Sequence, residues 1–180
     1  MPIAIPEVKI NPDQSLSSQS GYEVHLNLGS VQGESNSSAH PNEIEVISFS
    51  WGLSNSAIRS VQGGTTKGGK VSINEIIMVK HTDRSTPLLV NAVACCQAFP
   101  TATISMSKST GGKKPEDYFV IKMSNAYVSS LQLSSPAAGA LGTETITLNF
   151  QKITMDYKKQ NDMGILVAAS SVTCDLKQGK

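Results

Sequence analysis

Charge, aromatic rings, cysteine and long apolar runs are all scarce in this 180-residue chain, and each shortage closes a class of function. Charged residues make up 16% and the formal net charge is +1. No broad field is available to hold nucleic acid or an anionic membrane. Lys113-Lys114 and Lys158-Lys159 read as solvated turn lysines, because phosphate binding needs several cations on one face. No window approaches the roughly 20 apolar residues of a membrane helix, so membrane insertion is not expected. The opening MPIAIPEVKINP has two early prolines and no basic segment ahead of an apolar core, and is read as neither anchor nor secretory signal. Cys95, Cys96 and Cys174 are an odd, sparse set. Adjacent cysteines make a poor mutual bridge, so reduced and mostly buried thiols are expected.

Chemical motifs are equally thin. His25, His40 and His81 are too scattered for a metal site, and no C-x-x-C pair exists. Gly64, Gly69 and Lys70 have the gap of a phosphate loop, but Val71 follows where Ser or Thr is needed, and a strand follows where a helix is needed. In HTDRST, His81, Asp83 and Ser85 offer base, orienter and nucleophile by type. Consecutive loop residues rarely converge on one pocket, and Ser85 or Thr86 is expected to cap a helix, so no enzyme and no cofactor are expected. A carbohydrate-binding β-sandwich is the alternative of another class. With 5% aromatics, the chain has little of the stacked ring surface that sugars use.

What remains is strand pattern. The length suits one domain, which buries roughly 70% of the surface its unfolded form exposes. Residues 1–21 are rich in Pro and Ser, hold no period and read as a flexible leader; the domain is placed at 22–180. Val24, Leu26 and Leu28 alternate, and Gly29 to Asn42 is a polar loop. In EIEVISFSWGLS (residues 43–54), Ile44 and Val46 share one face, whereas Ile47, Phe49, Trp51 and Leu53 hold the other. That change of phase predicts a bulge near Val46 and Ile47.

Asn55 to Gly69 is long for a hairpin loop and built from small residues, as functional or mobile loops are. In KVSINEIIMV (residues 70–79), Ile76 and Met78 lie opposite Val71, Ile73, Ile77 and Val79, an apolar pattern on both faces. Such a strand is buried inside the fold or against another subunit. Ser85-Thr86-Pro87 opens the one convincing helix, with Leu89, Ala92, Val93 and Cys96 at helical spacing and an end at Phe99-Pro100. Later strands place Ala102, Ile104 and Met106 inward, then Phe119, Ile121, Met123, Tyr127, Leu131 and Leu133 along one stretch long enough to serve two sheets. Ile146, Leu148 and Phe150 then slip to Ile153, Met155 and Tyr157, a second expected bulge. A last strand is expected around residues 171–176. Seven or eight strands with one helix describe a β-barrel or tight sandwich.

Several short motifs stand in one order: GES at Gly33 to Ser35, His40, IEV at Ile44 to Val46, SWG at Ser50 to Gly52 and STPLL at Ser85 to Leu89. FP at Phe99-Pro100, YVSS at Tyr127 to Ser130 and ETITLNFQKITMDY at Glu144 to Tyr157 complete the series. Together they resemble the haemolysin-coregulated protein (Hcp) family, tube proteins of the bacterial type VI secretion system. The resemblance implies a mainly β fold, a barrel of two packed antiparallel sheets with one short flanking helix. It further implies a homohexameric ring with an open lumen, stacked rings, a spike trimer at the tip, a contractile sheath and baseplate that drive the tube out, and small effector proteins carried in the lumen. The chain would be made in the bacterial cytoplasm and secreted through that apparatus. Subunit and ring contacts are expected at Arg59, Gln62, Lys67, Ile76 and Met78, with Arg59 and Lys67 pairing with carboxylates of an adjacent ring.

Overall fold

A computed structural model describes residues 21–55, 71–110, 114–135 and 141–175. The leader, Arg59, Gln62, Lys67 and the Gly111-Gly112 turn lie outside the described residues. The elements are β1 (Tyr22–Asn27), β2 (Ile44–Glu45), β3 (Ser48–Ser50), β4 (Leu53–Asn55), β5 (Val71–Ile73), β6 (Ile76–His81), α1 (Thr86–Ala94), β7 (Ala98–Lys108), β8 (Glu116–Ser134), β9 (Thr143–Asn149), β10 (Lys152–Gln160) and β11 (Leu166–Asp175). Among the described residues the fold is mainly β with one helix, and every strand pairing is antiparallel.

The 19-residue strand β8 is the spine. Its first half pairs with β7 on one side and β10 on the other, and its second half pairs with β9. Strands β9 and β10 run back along it as one bent return limb, so the hairpin passes from one layer into the other. One layer is β1, β7, the first half of β8, β10 and β11; the second is the rest of β8, β9, β6 and β3. The bend has a chemical cause. Asn125 takes a left-handed φ of 49°. It faces Pro100, which has no N–H to offer the ladder, between the pairs Phe99↔Ala126 and Thr101↔Ser124. On the other side the Gln151 N–H donates to the Ser124 carbonyl at 3.0 Å, and Asn125 Nδ2 donates to Gln151 Oε1 at 2.7 Å. The buried series on β8 accordingly changes phase there, from Ile121 and Met123 to Ala126 and Val128. Tyr127 and Leu133, expected inward, are exposed.

Both phase changes expected as bulges are corners where the chain changes partner. At Val46-Ile47 the chain leaves β1, which β2 pairs, and joins β6, which β3 pairs. The two backbone amides complete the turn, Val46 N–H to the Val24 carbonyl at 2.9 Å and Ile47 N–H to the Val79 carbonyl at 2.8 Å. Ile44 and Val46 therefore enter the core while Ile47 faces out. At Phe150-Gln151 the chain passes from β6 as outer neighbour to β11.

The helix begins where expected but ends at Ala94, because β7 starts at Ala98 and carries Phe99 and Pro100 inside it. Its C-terminus closes with Cys96 N–H to the Val93 carbonyl (3.2 Å) and Gln97 N–H to the Ala92 carbonyl (2.9 Å), with Cys96 left-handed at φ 49°. Cys95 and Cys96 are consequently exposed rather than buried. Ser85 makes no side-chain cap bond; its hydroxyl donates to Asp83 Oδ1 instead. Among the described residues the core gathers Leu26, Leu28, Ile44, Ile76, Met78, Leu89, Ile104, Ile121, Met123, Ile146, Leu148 and Ile153. The last strand is longer than expected and pairs with β10 along its length, apart from a bulge at Ala169.

Candidate assembly surfaces

Three surfaces stand out once the inward residues are removed. The first is a small ribbon. Beyond the Trp51 corner, β4 and β5 pair only with each other, in the register Leu53↔Ile73, Ser54↔Ser72 and Asn55↔Val71. Its foot is fixed by Trp51 Nε1, which donates to the Asn74 carbonyl at 2.9 Å, and by Asn74 N–H donating to the Gly52 carbonyl at 3.0 Å. Ile73 packs on the core, while Leu53 and Val71 are 52% and 47% exposed. In sequence, β4 and β5 flank residues 56–70, which include Arg59, Gln62 and Lys67 and lie outside the described residues.

The second surface is the outer face of the β8-β9-β6-β3 layer. Cross-strand register lines up Ser50, Ile77, Thr147 and Ser130 in one row, and Ser48, Val79, Thr145 and Gln132 in the next. These eight positions carry hydroxyls, one amide and two aliphatic groups, with no charge. Ile77 is 45% exposed. Ile76 and Met78, expected at a subunit contact, have 0% exposure and belong to this chain's own core. Of the two apolar faces of β6, the core covers that of Ile76 and Met78, and that of Ile77 stays partly open.

The third surface is the outer face of the other layer, which is polar and charged. Lys122 lies 3.6 Å from Asp156, whose other oxygen accepts from Ser171 at 2.6 Å. An open cleft of about 680 Å³ lies here, lined by Thr103, Ser105, Asp117, Lys122, Asp156 and Ser171 among others.

Two buried polar clusters hold these surfaces in place. Lys80, fully buried on β6, donates to Asp83 Oδ1 at 2.9 Å, to Glu144 Oε2 at 3.3 Å and to the His81 carbonyl at 2.6 Å. Thr86 donates to Glu144 Oε1. The HTDRST segment is thus a structural knot: Asp83 accepts from both Lys80 and Ser85, Ser85 is fully buried, and His81 is exposed at the strand end. In the other cluster, the 29–42 loop folds over β1. Its His40 bridges Glu43 Oε2 (3.1 Å) and Asp117 Oδ1 (2.8 Å), and stacks on His25 with ring centroids 4.8 Å apart. The hydrogen bonds to Asp117 and Glu43 hold the His40 imidazolium, raising its pKa to about 9. Burial pushes the Asp117 and Glu43 carboxyls up, but hydrogen bonding from His40, helped by Ser107 and Asn27 respectively, outweighs it and leaves both below the usual range.

The quoted motifs earn their places in these clusters. At Gly33 a β-carbon would sit 2.3 Å from the Glu43 carbonyl oxygen, so only glycine fits. The Glu34 carboxylate accepts from the Arg84 N–H at 3.0 Å, and Ser35 Oγ meets His25 Nε2 at 2.9 Å. Arg84, a residue no pattern singled out, grips the loop through the Gly33 carbonyl, Asn42 Oδ1 (3.1 Å) and Gln32 Oε1 (3.3 Å).

Among known proteins, the family described as "Type VI secretion system effector, Hcp" matches residues 25–157. This chain belongs to the Hcp family. "Protein hcp1" of Pseudomonas aeruginosa is 32% identical over 142 residues, covering 79% of this chain and 86% of that protein. A solved "type six secretion system protein" superposes with a TM-score of 0.78 at 26% identity, over 88% of this chain and 98% of its own. Hcp1 from Salmonella typhimurium gives 0.69 at 25%, over 88% and 97%. Hcp-family membership and a shared fold are thereby established, and the Hcp motifs fall in β1 to β10. The projecting Leu53 and Val71 and the Ile77 row escaped the sequence reading, since a strand pattern gives the two faces without saying which one the core takes.

Proposed function

We propose that this chain is a structural, non-catalytic subunit of the type VI secretion inner tube. Six copies close into a ring with an open lumen, and rings stack into a tube that a spike trimer tips. A contractile sheath on a baseplate drives the tube out of the cell, and the lumen carries small effector proteins. The observation that carries this reading is the β4–β5 ribbon. Two strands of three residues are too short to hold their own pairing in water, and they present Leu53 and Val71 outward. A heterologous contact with a second copy, as a ring requires, supplies the missing cover. Residues 56–70 extend that contact, with Gln62 at it and with Arg59 and Lys67 pairing with carboxylates of the adjacent ring. The uncharged Ile77 face supports the same reading, because strongly like-charged rings would repel on stacking. A lasting contact of this kind buries more than about 1,000 Å².

The test is the mass of the purified protein by light scattering, with negative-stain images. Six-copy annular particles are expected, and Leu53→Ser/Val71→Ser is expected to lose them while keeping its strand content. A compact single copy at micromolar concentration, with no annular particles, overturns the proposal. Arg59→Glu is expected to weaken stacking at low salt; unchanged tube formation would remove Arg59 from the ring contact.

A further inference from the structure

We infer that the 29–42 loop is an acid-released cover over the polar face of β1, β7 and β8, with the buried ring of His25 as its trigger. The loop is the outer lid of that face. It is held by Gly33 N–H to the Asn42 carbonyl (2.8 Å), Ser35 N–H to the Glu43 carbonyl (3.1 Å), Asn42 N–H to the Ser35 carbonyl (2.9 Å) and the Ser37 hydroxyl to Glu23 Oε2 (2.7 Å). Beneath it lie His25, Ser105 and Ser107, all at most 5% exposed, and Asp117, which accepts from Ser107 at 2.8 Å. Few of these contacts are apolar. Val31 anchors the loop's first turn in the core; from Gly33 onward the lid is closed by polar geometry.

His25 is the weak point of that geometry. Its Nε2 has Ser35 Oγ as partner, but Nδ1 is the single buried side-chain nitrogen or oxygen without one among the described residues. A second proton would turn both nitrogens into donors, and one of them would point at nothing. The face it stacks on is His40, already charged by its two carboxylates. The other groups around His25 are accounted for: Glu43 and Asp117 are bound to His40, Glu23 to Ser37, Ser105 lies opposite on β7, and the Glu45 carboxyl, opposite on β2, is pushed up by burial and is hydrogen-bonded to the Asn36 backbone. Burial and His40 together hold its pKa below the ordinary value, against a weaker pull from Glu23, Glu43 and Asp117.

The sign follows from linkage. Opened, the ring is hydrated and accepts a proton near pH 6.5; closed, it refuses. As pH falls below about 6.5 the open form gains, by up to tenfold per pH unit until the closed-state value is reached. Opening bares Ser105, Ser107 and Asp117 at the edge of the cleft that Thr103, Lys122 and Asp156 line, and frees the Arg84 guanidinium from the loop.

Amide hydrogen exchange followed by NMR tests this on the full chain. Below pH 6.5, where the His40 contribution to closure is already complete, protection at Gly33, Ser35 and Asn42, corrected for intrinsic rates, is expected to fall about tenfold between pH 6.5 and pH 5, while amides paired between β9 and β6 hold theirs. In His25→Phe, which fills the site and does not titrate, the fall is expected to vanish. Unchanged loop protection in the native chain, or an equal fall in His25→Phe, overturns the inference. If His25→Phe does not fold, the ring-proton titration of native His25 decides. A midpoint below 6.5 that coincides with loop exposure supports the switch, and a midpoint at or above 6.5 overturns it.

Discussion

Lys80→Met tests whether the buried cation is a necessity of this fold or a replaceable filler. Lys80 and Glu144 are both fully buried, and their partners are Asp83 Oδ1 at 2.9 Å, the His81 carbonyl at 2.6 Å and the Thr86 hydroxyl. Methionine matches the stem in volume, so the loss is almost wholly electrostatic. It leaves the Glu144 carboxylate with one hydroxyl donor in a site water does not reach. Removing one partner of a buried pair costs about 3–5 kcal/mol. In a chain of this size that lowers the melting temperature by roughly 6–20 °C. Replacing both charges in Lys80→Met/Glu144→Gln removes the orphan, and Gln still accepts from Thr86. The double variant is therefore expected to recover at least half of the loss, a coupling of about 2 kcal/mol or more. Urea unfolding at one fixed protein concentration measures all three, because assembly adds concentration-dependent stability. A single-variant cost under about 1 kcal/mol, or a double-variant cost equal to the sum of the two single variants, would refute the reasoning.

Three further outcomes are expected. His40 has its pKa raised to about 9, so its contribution is complete below pH 6.5 and is lost as pH rises through 9. Stability should decline by on the order of 2–3 kcal/mol across that window in the native chain, and stay flat in His40→Gln, by denaturant titration at each pH. Gly33→Ala forces a methyl into the Glu43 carbonyl, at a cost of about 1–3 kcal/mol, with loop amides losing protection before those of β7 and β8. Ile77→Lys changes a side chain that already meets solvent in the single chain. Thermal stability of the dissociated protein should shift by less than about 0.5 kcal/mol, whereas ring formation by light scattering should fail.

Periodicity carried the strands well because burial alternates with the pleat, and Leu26, Ile104, Ile121, Ile146 and Leu148 all fell on the predicted side. It also placed the first phase change at Val46-Ile47 and the second between Phe150 and Ile153. It could not name their cause, since a bulge and a change of partner strand shift the apolar series identically. The difference is long-range, residing in whether Ile47 N–H finds the Val79 carbonyl or stays with β1. Asn125 was illegible for the same reason: its left-handed φ answers Pro100, 25 residues earlier. At the surfaces, sequence marked the long small-residue loop and the doubly apolar β6. It assigned Ile76 and Met78 outward because either face of such a strand satisfies the pattern, and the core took theirs.

The two buried ionic clusters stand at the points where regular pairing gives way. The Lys80 knot joins the next-to-last ladder pair of β6 and β9, Lys80↔Glu144, to Asp83 and the start of α1, which lie beyond the last pair His81↔Thr143. The His40 knot ties the loop between β1 and β2 to the first residues of β8. Each knot anchors on ladder residues, but the segments it fastens, residues 82–85 and the 29–42 loop, have no neighbouring strand to fix their geometry, and an apolar contact there would be satisfied by several orientations. Charge-assisted hydrogen bonds are directional, so they select one orientation, at little net gain in stability over a hydrophobic replacement. On that argument the Lys80→Met/Glu144→Gln variant, though it recovers at least half of the lost unfolding energy, should show broadened amide signals at residues 81–86 and 143–145. Sharp, native-like signals there would mean that packing alone sets the corner.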